Sequence, residues 1–65
     1  MHLVINGQPQ EVTCSRLDEL VQSLHLDAKR LVAEINGEIV AREHFATTQL
    51  QENDKLELVH FVGGG

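Results

Sequence analysis

Ser15-Arg16-Leu17-Asp18-Glu19-Leu20-Val21-Gln22-Ser23-Leu24 carries the clear helical period of this 65-residue chain. Leu17, Leu20, Val21 and Leu24 recur at i, i+3, i+4 and i+7, which gathers them on one face of an α-helix. Ser15 with Asp18 at the third position after it has the form of a capping box, so a helix over 16–25 is predicted. Arg16, Glu19, Gln22 and Ser23 fall on the opposite face, a solvated surface with no functional demand on it.

On the N-terminal side of that helix, Leu3, Val4 and Ile5 run into Asn6-Gly7, a dipeptide that tolerates positive φ at both residues and so favours a tight hairpin. A second extended run is expected over Gln10 to Thr13. On the C-terminal side a polar connection, Asp27 to Arg30, leads to a strand over Leu31 to Ile35. Asn36-Gly37 repeats the turn signal, and Glu38 to Val40 resumes an extended path. Arg42 to Thr48 has no clean period and reads as an irregular turn pinned by Phe45. Asn53-Asp54 marks another turn before a final strand from Lys55 to Val62. The order of strands around a single helix specifies an α+β fold: a mixed sheet of four to five strands with one main helix packed on one face. Because the helix separates the second strand from the third, the first and last strands can lie parallel at the centre, the ubiquitin-like β-grasp arrangement. Residues 1–62 are expected to form that domain and 63–65 a flexible C-terminal tail.

Ten acidic residues against five basic give a formal charge of −5, which repels phosphate backbones, so a nucleic-acid partner is not expected. A chain of this size buries only about 60% of the surface it exposes when unfolded and has little volume for an enclosed small-molecule pocket, which argues against a self-sufficient enzyme. No apolar stretch approaches the roughly 20 residues of a membrane helix, and Met1 to Gln10 lacks the pattern of a signal peptide, so a cytoplasmic protein is expected. Cys14 stands alone and reads as a small packing residue. His2, His25, His44 and His60 are not paired at metal-ligand spacing.

The chain ends in Gly63, Gly64 and Gly65. Three residues without Cβ can thread a slot too narrow for side chains, reaching roughly 10 Å at about 3.3 to 3.6 Å each. The terminal carboxylate is ionised at neutral pH and needs activation before a nucleophile can attack it. Along the final strand, alternation sends Leu56 and Leu58 one way and Glu57, Val59 and Phe61 the other. One helix covers one face, so Val59 and Phe61 are expected on the open side beside the tail, as a docking surface with Val62 and with Arg42 and Glu43 at its flank. The alternative is that Phe61 folds back over the sheet edge as satellite core.

The Asn6-Gly7 hairpin, the segment Ala33-Glu34-Ile35-Asn36-Gly37-Glu38-Ile39-Val40-Ala41-Arg42-Glu43 and the ending Asp54 to Gly65 together resemble the ThiS family, the sulfur carriers of thiamine biosynthesis. Ala41 and Phe45 depart from that family's frequent proline and tryptophan. The resemblance implies that an ATP- and magnesium-using adenylating enzyme of the ThiF type activates the Gly65 carboxylate, with Gly63 and Gly64 threading the partner's active site. Sulfur from a partner's cysteine then gives a thiocarboxylate for a thiazole synthase of the ThiG type, and Val59, Phe61 and Val62 seat the domain on its partners. No cofactor binds the carrier and no catalytic residue or metal belongs to it on this reading. The small subunit of molybdopterin synthase and the ubiquitin-like covalent modifiers share the fold and ending and stand as alternatives. A non-covalent interaction module with an inert tail is a third class.

Overall fold

A computed structural model describes residues 1–62. Its strands are β1 (His2–Ile5), β2 (Gln8–Glu11), β3 (Leu31–Ile35), β4 (Glu38–Val40) and β5 (Lys55–His60), with one α-helix, α1 (Leu17–Ser23), and two 3-10 segments, Ala28–Arg30 and Arg42–Thr47. They form a five-stranded sheet in the order β2-β1-β5-β3-β4. β1 and β5 pair in parallel, Ile5 against Leu56, while the other neighbours are antiparallel. The first and last strands among the described residues thus lie side by side within the sheet, an arrangement the position of the helix allowed.

Both Asn-Gly dipeptides turn through positive φ, 51° and 78° at Asn6-Gly7 and 52° and 87° at Asn36-Gly37. That geometry matches the twist of the strands each turn joins. The two asparagine side chains also do something the turn motif does not require. Asn6 brackets Leu58, its Oδ1 accepting from the Leu58 N–H at 2.8 Å and its Nδ2 donating to the Leu58 carbonyl at 3.1 Å. Asn36 Oδ1 accepts from the Lys55 N–H at 3.0 Å, and its Nδ2 donates to buried Asp54 at 3.0 Å. Each hairpin tip is thereby fastened to β5.

The helix begins one residue later than the spacing predicts and ends earlier. Arg16 is the N-cap, and the carboxylate that reaches back is Glu19, accepting from the Ser15 and Arg16 N–H groups at 3.0 Å each. Asp18 instead pairs with Arg16 Nε at 3.1 Å. That pair holds the Asp18 carboxyl below its ordinary range, and the two backbone donors do the same for Glu19. At the other end His25 adopts φ 60°, the Leu26 N–H donates to the Val21 carbonyl, and the His25 N–H donates to that of Gln22. This double closure is a Schellman motif built on a histidine where glycine is usual, so no sequence signal marked it.

The second strand occupies Gln8–Glu11 in place of 10–13. Pro9 is tolerated there because β2 is an edge strand that needs no outward donor. The core lies between sheet and helix, with Leu3, Leu17, Leu20 and Leu56 at its centre and Phe45 and Leu50 closing one side. Phe45 sits in the 3-10 segment Arg42–Thr47 and does pin that turn.

Candidate functional site

β5 divides its side chains as alternation dictates. Leu56 and Leu58 are buried under α1, whereas Val59 and Phe61 are 53% and 58% exposed on the face the helix does not cover. Val62 follows at 81% exposure. Phe61 does not fold back into the core. Its N–H donates to the Arg30 carbonyl at 2.7 Å, which continues the ladder one step past the end of β5 and holds the ring outward beside Val59. Val32 lies directly across from Val59, so the apolar patch spans two strands. A patch of this kind, next to the point where the chain leaves the sheet, is suited to protein contact. Gly63, Gly64 and Gly65, expected to carry the chemistry and the threading, lie outside the described residues, and so does the division into body and tail.

Farther along the same face the surface becomes acidic. Glu34 on β3 faces Glu57 on β5 directly, and among the described residues neither carboxylate has a cation within ion-pair distance. Ile39, on β4 opposite Glu34, is 72% exposed and extends the apolar surface to the sheet edge. Sequence reading missed it, although alternation within Glu38-Ile39-Val40 places it on this face.

Arg42 and Glu43 are not at the flank of the patch. They line a cleft with Asp18 and Gln22 of α1, in the helix layer, because burial of Phe45 packs their segment onto α1. A further cleft, which the sequence gave no sign of, is lined by Ile5, Leu24, Leu26, Leu58 and His60 at the C-terminal end of the helix. The His60 ring is fixed there, its Nε2 accepting from the Asp27 N–H at 3.1 Å. No three His, Cys, Asp or Glu side chains among the described residues gather as a metal site, and no helix there is long and apolar enough to cross a membrane.

The mixed five-stranded sheet with one main helix packed on one face defines a β-grasp protein. The ThiS family model matches residues 3–65, and the chain belongs to the ThiS family. It is 39% identical over 49 residues to the sulfur carrier protein ThiS of Bacillus subtilis, covering 75% of this chain and 74% of that one. The crystal structure of the thiamine biosynthesis protein ThiS from Geobacter metallireducens superposes with a TM-score of 0.84 at 35% identity, each chain covered in full. A thiazole synthase of Paramagnetospirillum magneticum is 38% identical over 66 aligned positions. All of this chain is matched there, but it spans only 20% of that protein's length.

Proposed function

We propose that this chain is a sulfur carrier of thiamine biosynthesis, a substrate protein and not an enzyme, working in the cytoplasm. The carboxylate of Gly65 attacks the α-phosphorus of ATP on a ThiF-like adenylating enzyme that supplies magnesium, and pyrophosphate leaves. The resulting acyl adenylate is an electrophile with AMP as leaving group. Persulfide sulfur on a partner's cysteine displaces AMP to give an acyl disulfide. A second thiol then attacks the cysteine sulfur, forming a disulfide there and releasing the C-terminal thiocarboxylate, a nucleophile for a ThiG-like thiazole synthase. Gly63 and Gly64 give the terminus access to the partners' active sites, and Val59, Phe61 and Val62 seat the domain.

The observation that carries this reading is the exposure of Val59, Phe61 and Val62 immediately before the glycines, in a chain of the ThiS family. The match to a fifth of proteins named thiazole synthase favours the thiazole pathway over pterin synthesis or protein conjugation. Intact mass after incubation with the adenylating enzyme, ATP, magnesium and a sulfur donor tests it. Replacement of one oxygen by sulfur is expected, and deletion of Gly64 and Gly65 is expected to abolish it. Stable high-mass adducts instead of the thiocarboxylate would assign the chain to covalent modification.

A further inference from the structure

Strand β5 outlasts the strand beside it. β1 ends at Ile5 opposite Leu56, and the Asn6 side chain extends the pairing as far as Leu58 by taking both of its backbone groups. The alternation of the ladder decides what remains. The Phe61 N–H bonds Arg30 and the Lys55 carbonyl accepts from Asn36, so odd-numbered residues of β5 direct their backbone groups to β3 and even-numbered ones to the β1 side. His60 therefore directs its N–H and carbonyl to a place where β1 has already stopped. Among the described residues neither group has a hydrogen-bond partner.

The sheet's outer edge at β2 is blunted by Pro9, which has no N–H to offer. No such device guards His60. Next to this bare edge lies a cleft of about 460 Å³, lined by the apolar side chains of Ile5, Leu24, Leu26 and Leu58 and by the polar ones of Asn6, Gln8, Gln10 and His60, with room for a side chain that sets an apolar body against the leucines. Backbone groups awaiting a ladder, with a cleft on one side of them that has an apolar wall, are what an added strand requires.

We propose that the β5 edge at His60 receives an extended segment of the partner protein, which continues the line of β1 and places an apolar side chain in the cleft. The segment carries a free N–H and carbonyl at the paired position, so it has no proline there. This proposal deepens the carrier reading, on which it rests, by naming how an adenylating partner grips the chain just ahead of Gly63.

Two variants separate the backbone from the ring. His60→Ala and His60→Pro both lose the bond from the Asp27 N–H, but only His60→Pro loses the backbone donor, at a φ compatible with an extended chain. Binding to the ThiF-like enzyme of the same organism is measured by calorimetry, with thermal unfolding of each free variant as the folding control. His60→Ala is expected to bind within about twofold of wild type and His60→Pro about tenfold more weakly, the weight of one ladder bond at an interface. In the wild-type complex the His60 amide is expected to exchange with deuterium more slowly than in the free chain, a readout independent of any variant. Equal binding by the two variants, or an unchanged His60 amide, would overturn the edge proposal while leaving the carrier reading intact. Self-association of the free chain that His60→Pro abolishes would assign the edge to a second copy and overturn it too. If wild type neither binds the enzyme nor acquires sulfur, both readings fail together.

Discussion

Replacing Glu57 with glutamine is expected to make this protein more stable. Glu57 and Glu34 oppose each other across β5 and β3 on the open face, with no cation in ion-pair range of either among the described residues. Directly opposed side chains on neighbouring strands hold their Cβ atoms about 4.5 to 5.5 Å apart. With the carboxylates splayed to about 7 Å in water, Coulomb repulsion comes to about 0.6 kcal/mol. Most of that is expected to be recovered in Glu57→Gln, raising the melting temperature by about 2 to 4 °C for a domain this small. Glu34→Gln should give the same rise, and the double variant little more than either alone, because one repulsion is removed once. Circular dichroism melts in low salt and in 1 M salt, where the screening length falls to about 3 Å, provide the assay. Glu43→Gln, which reduces the net negative charge equally from the helix layer, is the control. The reasoning is refuted if Glu57→Gln and Glu43→Gln shift the melt alike, or if the gain survives 1 M salt.

Phe61→Asp should change stability by less than about 0.5 kcal/mol, as for an exposed site, yet weaken binding to the adenylating enzyme at least tenfold; comparable losses in urea denaturation and in binding would return the ring to a structural role. Asp54→Ala strands the Gln51 N–H and the Asn36 amide, which Asp54 bonds at 2.8 and 3.0 Å, and should cost about 1 to 3 kcal/mol by urea denaturation. Leu20→Ala, at a fully buried position of α1, should cost about 2 to 5 kcal/mol by the same measurement. The folded chain holds Asp18 and Glu19 below their ordinary values of 3.8 and 4.5, so the stability they contribute is complete above about pH 5 and is lost as pH falls through the folded values. Glu19→Gln should accordingly flatten the fall in melting temperature between about pH 5 and 3, and an unchanged slope would show that the helix start is not where the acid sensitivity resides.

What was legible in the sequence had local causes. Asn-Gly at 6–7 and 36–37 fixed both hairpins because few other residues accept positive φ in succession, and Leu31–Ile35 was read to the residue because Asp27-Ala28-Lys29-Arg30 and Asn36-Gly37 bound it. The start of α1 was misplaced by one because Asp18 and Glu19 are adjacent acids. Either suits a first turn, and only the reach of the longer side chain to two N–H groups selects Glu19. Its end was missed because His25 replaces the expected glycine. Arg42 and Glu43 were put on the wrong layer because Phe45 reveals its packing partner only in three dimensions. At the site, alternation alone placed Val59 and Phe61 correctly, whereas the bare edge at His60 depends on where β1 ends relative to β5, a matter of register between segments fifty residues apart.

These features divide β5 into two parts with different duties. Up to Leu58 the strand is held from both sides, by β3 and the Asn36 amide along one edge and by β1 and the Asn6 amide along the other, and its inward side chains complete the core. Beyond Leu58 its support comes from β3 and the segment just before it: the Arg30 carbonyl anchors the Phe61 N–H, the Asp27 N–H holds the His60 ring, and Val59, Phe61 and Val62 stay more than half exposed. The buried side chains of the strand, Leu56 and Leu58, thus precede the exposed run. A partner can cover the apolar patch, occupy the edge at His60 and draw on the residues that follow without drawing on the contacts that keep the body folded. On the carrier reading proposed above, the exposed apolar side chains of Val59, Phe61 and Val62 would contribute more to association when buried by a partner than they contribute to the stability of the isolated chain.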